Sequence, residues 1–203
     1  MTAVRTLLCC LLGLAAGAAR AEPPVTALPP AQAAPRHVME LDTARSRLGF
    51  EIRTRLGQRI EGVFPRFEGR IDVLADGRHQ VHLRMFTGYV EIPGKDRYTG
   101  WMRGEEFFDA GRYPVVEFDS VPYDPQLVEK GGGIHGRLIL RGVSHPETLQ
   151  VEAASCPRAG YDCDVVSRGT VQRGRYGMDS WQLALSDRVT FVLRARLNEA
   201  LKP

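Results

Sequence analysis

His79 and His82 stand three residues apart, and a metal site or proton relay on one strand face needs even spacing. His135 and His145 can approach across a hairpin, but no third ligand accompanies them, and His37 stands alone. Glu105, Glu106 and Asp109 are the carboxylates best grouped for acid/base work. No nucleophile or histidine lies near them in sequence, which leaves helix-end and turn roles. Ser180 and Ser186 lack a nucleophile-elbow context, and the Gly131–Gly133 run lacks the Lys-Ser/Thr of a phosphate loop. Cys156 and Cys163 flank Pro157-Arg158-Ala159-Gly160-Tyr161-Asp162, a turn-like stretch. In an oxidising compartment such a pair forms a structural disulfide, and its spacing fits neither a C-x-x-C redox motif nor a zinc site. The residues thus point to no catalytic group, no metal and no cofactor.

The elements that would position side chains are strands. Leu48, Phe50 and Ile52 alternate with Glu51 and Arg53, and Val81, Leu83 and Met85 with His82 and Arg84. Leu138 and Leu140 alternate with Arg137 and Arg141; a turn at Ser144-His145-Pro146 precedes Leu149, Val151 and Ala153. The last strand is the clearest, with Val189, Phe191, Leu193, Ala195 and Leu197 on one face. Period two with one wet face marks an antiparallel sheet. Gly62, Pro65 and Gly69 suggest a bend or bulge. Seven to nine such strands with one candidate helix give a barrel or a sandwich, and patterning alone does not separate the two. Nor does it say whether the inward face fills a solid core or lines a cavity.

Residues 1–21 read as a signal peptide: Arg5, an apolar run from Leu7 to Ala18, then Ala19-Arg20-Ala21. That run is too short to span a bilayer, which needs about 20 residues. Residues 22–36 are a Pro/Ala-rich flexible leader, and residues 37–199 make one domain. Without Arg5 and Arg20 the 27 basic residues fall to 25, against 24 acidic ones. So even a balance excludes nucleic acid as the main partner.

The stretch from Lys95 to Ser120 organises the chain. Lys95–Met102 can form a helical turn or two, Phe107-Phe108 precede an Asp109-Ala110-Gly111 turn, and Pro114 ends anything helical. Val116 and Phe118 then share one face of a strand. This stretch, with Phe-Phe-Asp, Tyr-Pro and Phe-Asp-Ser, resembles the YceI-like family of periplasmic lipid-binding proteins. Gly62-Val-Phe64-Pro-Arg-Phe67-Glu-Gly69, Gly136-Arg-Leu138 to Ser144 and Arg173-Gly-Arg-Tyr176-Gly177 resemble further family elements in the same order. The Val90 to Gly94 segment departs from the family, as does the cysteine pair.

The resemblance implies an all-β fold: an eight-stranded antiparallel, lipocalin-like barrel with one short helix near its mouth. It also implies a periplasmic carrier, not an enzyme, that holds a polyisoprenoid, an isoprenoid quinone or another long-chain lipid in the lumen; the alternatives are a secreted β-domain with a solid core that binds another protein, and an enzyme acting on a lipid or quinone. The expected lumen residues are Phe50, Ile52, Phe64, Phe67, Val81, Leu83, Met85, Val116, Phe118, Leu138, Leu140, Phe191 and Leu193. Trp101, Met102, Phe107 and Phe108 join them at the mouth, with Lys95, Arg97 and Arg103 for a polar headgroup. The further partners expected are a second copy of the chain, as a homodimer, and the inner membrane, in transient contact.

Overall fold

Alternation in the sequence becomes a curled sheet. The computed structural model describes residues 34–199. The expected signal peptide and nearly all of the leader lie outside the described residues. The strands are β1 (His37–Glu40), β2 (Arg47–Thr54), β3 (Arg59–Val63), β4 (Phe67–Val73) and β5 (His79–Phe86), followed by β6 (Val115–Ser120), β7 (Gly132–Leu140), β8 (Val143–Val151), β9 (Val165–Gln172) and β10 (Leu185–Ala195). Two short helices, α1 (Asp96–Arg103) and α2 (Gln126–Lys130), interrupt them. All pairings are antiparallel, in the order β1-β4-β5-β6-β7-β8-β9-β10-β2-β3.

The fold is all-β, but a strongly curled half-barrel of ten strands replaces the expected eight-stranded barrel. The two edge strands account for the difference, because β1 has four residues and β3 five, too few to alternate visibly. The flanks of the curl meet where the chain changes partner. Residues of β1 pair with β4, then Leu41 bridges Leu197 and β2 pairs with β10. Buried Ser46 holds this corner: its Oγ accepts from the Arg196 N–H at 2.9 Å and donates to the Arg196 carbonyl at 3.2 Å.

The expected turn at Ser144-His145-Pro146 lies inside β8 instead. The chain reverses one step earlier, at Arg141 (φ 52°) and Gly142 (φ 71°), the paired left-handed geometry of a two-residue hairpin. Pro146 is tolerated because β9 pairs with β8 only at Gln150 and Val151, so the missing N–H faces an open edge.

Two glycines let rings approach the sheet. A Cβ on Gly62 would lie 2.2 Å from Phe50 Cζ, and one on Gly136 would lie 2.5 Å from Phe118 Cζ. Helix α1 carries Asp96 in its first turn and Arg103 in its last, both favourable to the helix dipole. Arg103 Nε also donates to the Val90 carbonyl at 2.9 Å, tying the helix to the preceding segment.

Candidate functional site

The interior divides into a packed end and a hollow end. At the packed end Phe50, Phe64, Phe108 and Phe191 meet with ring centroids 5.5–6.5 Å apart. Phe108 meets Phe50 and Phe64 edge to face, and such pairs each add about 0.5–1.5 kcal/mol beyond their burial. Ile52, Met102, Phe107 and Leu140 close around them, leaving a void of about 20 Å³. Phe67 and Val116 flank Met85 in the neighbouring strands and are buried as well.

The hollow end holds a cavity of about 1030 Å³. Strand β5 shows the gradient in depth, because its inward residues run His79, Val81, Leu83, Met85. The first three line the cavity, and Met85 reaches the packed region. At roughly 3.4 Å per residue, His79 and Leu83 are about 13 Å apart along the strand. Leu83, Phe118, Leu149 and Leu193 form the floor, and each also borders a second void of about 20 Å³ with Leu138 and Phe191. Met39, Ile71, Val128, Ile134, Val165 and Ala195 supply aliphatic wall. Exposed Pro125, Glu129, Pro157, Arg158 and Glu199 form the rim, so the cavity opens to solvent.

Of the residues expected from sequence, Val81, Leu83, Phe118 and Leu193 face the cavity. Phe50, Ile52, Phe64, Phe67, Met85, Met102, Phe107, Phe108, Val116, Leu138, Leu140 and Phe191 belong to the packed end or the layer beneath the floor. Helix α1 therefore caps the filled end, not the mouth. Its Trp101 is partly exposed, stacks on Tyr98 at 5.2 Å and packs tilted against Trp181 at 5.1 Å. Lys95 sits over the Tyr98 ring at 5.3 Å, Arg97 is exposed, and Arg103 is held by Val90, so none of these three cations reaches the cavity. The cause is side-chain volume: the aromatics around α1 are large enough to meet across the sheet and fill it.

The mouth is built by parts that carry no local signal in the sequence. They are Met39 in β1 and Leu41 just after it, helix α2 with Tyr123, and the loop between the two cysteines. Cys156 and Cys163 are bonded, and four residues between them, Pro157, Arg158, Ala159 and Tyr161, line the cavity. This lip is tied down by Leu197 N–H to the Gly160 carbonyl at 2.8 Å and Arg196 Nη1 to the Tyr161 carbonyl at 2.7 Å. Replacing both cysteines with alanine is expected to cost about 2.5 kcal/mol from loop entropy alone. Urea unfolding of the pair beside the parent checks it, and an unchanged midpoint would mean the backbone ties suffice.

Electrostatics at the mouth separate wall from rim. Burial lowers the His79 pKa, opposed by nearby Asp124, and burial pushes the Tyr123 hydroxyl up to about 12. Both side chains are therefore uncharged at neutral pH. The expected carboxylates are elsewhere: Glu106 accepts from the Trp181 indole N–H, and the Glu105 carbonyl accepts from Arg141 at 2.7 Å. His135 contacts Thr148 and His145 the Arg175 carbonyl, three rungs apart in the β7–β8 hairpin. Among the described residues no three His, Cys, Asp or Glu side chains are grouped to hold a metal ion.

Comparison with solved structures finds the same fold in several bacterial proteins. BcnA of Burkholderia cenocepacia is 18% identical with a TM-score of 0.63, covering 76% of this chain and 98% of that one. A polyisoprenoid binding domain from Saccharophagus degradans, implicated in plant cell wall breakdown, is 19% identical with a TM-score of 0.58, covering 80% and 100%. The Campylobacter jejuni YCEI protein is 19% identical with a TM-score of 0.56, covering 70% and 87%. Comparison with curated proteins gives no match. The YceI-like domain model matches residues 39–197, a span that takes in every strand of the sheet but the first two residues of β1, and the chain belongs to the YceI-like family.

Proposed function

We propose that this chain is a periplasmic carrier that holds one long-chain lipid, a polyisoprenoid or a relative of it, in the hollow end. The observation that carries the reading is the 1030 Å³ cavity with a largely apolar floor and walls and charged groups confined to its opening. Ligand cavities run to roughly 300–1,000 Å³, so this space suits a long or bulky apolar molecule. The polyisoprenoid binding of the Saccharophagus degradans domain supports the ligand class. Each methylene taken from water contributes about 0.8 kcal/mol, offset in part by the ordering of a flexible chain. Release from water drives binding, and the open rim permits exchange. The apolar run and Ala-Arg-Ala site at the N-terminus support export.

The test is mass spectrometry of an organic extract from protein purified without detergent from its own host. About one long-chain lipid per chain is expected. An empty protein that also fails to take up a polyprenyl lipid on reconstitution would overturn the reading.

A further inference from the structure

We infer that the outer face of β10 and β2 docks on a bilayer of anionic lipid. The inference concerns the outside of the sheet, so it goes beyond the lipid-holding reading and does not depend on it.

The alternation that sends Phe50, Ile52, Phe191 and Leu193 inward sends their neighbours outward. On β10 these are Arg188, Thr190, Val192 and Arg194, and on β2 they are Arg47, Gly49, Glu51 and Arg53. Arg47 lies directly across from Arg194 in the register, and Arg53 and Arg188 stand together beside the Ile52–Val189 pair. All four arginines are exposed, and among the described residues none of them forms an ion pair. Like charges facing each other on adjacent strands are destabilising.

The same sheet balances its charges elsewhere. On β4, β5 and β6, Arg70 meets Asp72 at 3.1 Å, and Arg84 meets Glu68 at 3.4 Å and Glu117 at 3.3 Å. His82 lies between Asp72 and Asp119 on that flank. Beside the four free arginines the carboxylates are already engaged. Arg59 on β3 reaches Glu51 and Glu61, and Arg168 on β9 pairs with Glu152. The excess charge is thus confined to two adjacent strands.

Its shape matches a plane of anions. Arg188 and Arg194 are six residues apart on β10, or about 20 Å, so one phosphate can engage one arginine pair but not both. The outer side of a strongly curled sheet is convex, and a flat surface touches it along a stripe. Strands β10 and β2 form such a stripe between β9 and β3. Only Gly49, Val192, Thr190 and the engaged Glu51 lie between its ends. Guanidinium groups stay charged and bind phosphate oxygens through paired N–H donors. Ala195, next in the chain to Arg194, lines the cavity, so docking on this face brings the opening beside the bilayer.

Cosedimentation with vesicles tests this, comparing phosphatidylcholine that contains phosphatidylglycerol with phosphatidylcholine alone. The chain is expected to bind only the anionic vesicles and to leave them as salt rises. Each arginine near such a surface adds about fivefold to binding, so Arg53→Gln with Arg188→Gln and Arg194→Gln should weaken it about a hundredfold. These three side chains are exposed, and their loss relieves repulsion, so the urea midpoint should hold or rise. Arg70→Gln with Arg84→Gln, on the balanced flank, should change binding by less than about twofold. Failure to bind anionic vesicles, or equal binding to both kinds, would overturn the inference. So would an equal loss in the balanced-flank variant, or displacement by inorganic phosphate at constant ionic strength. Lipid extracted from the cavity is a separate readout, so either reading can fail without the other.

Discussion

A chain carrying Ala195→Trp is expected to leave its host folded and nearly free of lipid. Ala195 ends β10 on its inward face, two residues beyond Leu193, and lies across from Val165 on β9. It is half-buried and lines the cavity near the mouth. An indole brings roughly 150–250 Å² of apolar surface and would occupy space that now lies open. Overpacking costs stability where neighbours must move, but here the new ring enters a hollow. Lipid recovered per chain should therefore fall at least about tenfold, with a melting temperature near that of the parent. Full lipid occupancy in a folded Ala195→Trp chain would remove the cavity as the binding place. The converse substitution in the packed end is no such test, because Phe50 and Phe191 hold the fold together.

The largest loss of stability is expected from Arg173→Ala. The Arg173 side chain is 1% exposed, and its guanidinium organises the loop between β9 and β10. Its Nε donates to the Ser186 carbonyl at 3.0 Å, and its Nη1 donates to the carbonyls of Ser180, at 2.6 Å, and Met178. Burial lowers the pKa of this group, while the charges of Asp187 and Asp179 oppose that shift. Truncation would leave three inward carbonyls without their donor and a void beside Phe191 and Met178. The expected cost is about 3–5 kcal/mol, read as a lower urea midpoint. Arg173→Lys should recover part of it, since an ammonium supplies charge but not the planar fork. A loss under about 1 kcal/mol in Arg173→Ala would show that water satisfies the loop without the side chain.

Strand positions were legible because period two is a local property. Val81-Leu83-Met85 and Leu48-Phe50-Ile52 announce their inward faces equally well. What they do not announce is the partner across the sheet, and that partner decides between packing and hollow. A signal was nonetheless present in residue size. Phe50, Phe64, Phe107, Phe108 and Phe191 gather at one end, and Val81, Ala159, Val165 and Ala195 at the other. Seeing it required the register, because β2, β5 and β9 share one direction while β10 runs against them. The disulfide was legible from compartment and spacing, yet its place at the mouth was not, since nothing local relates Cys156 to Leu197. The arginines near α1 misled for a similar reason: clustering in sequence gave them a common neighbourhood but did not say which end they cover.

The packed aromatics give the hollow a fixed bottom. A molecule threaded past His79 and Val81 stops at the layer of Leu83, Phe118 and Leu193, with Met85 and Phe191 beneath it. A sleeve closed at one end acts as a gauge of chain length. Affinity should climb with each added carbon until the tip touches that layer, then level off as further carbons trail outside. The plateau would report the depth of the sac, and thinning its bottom at Leu149 would shift the plateau toward longer chains.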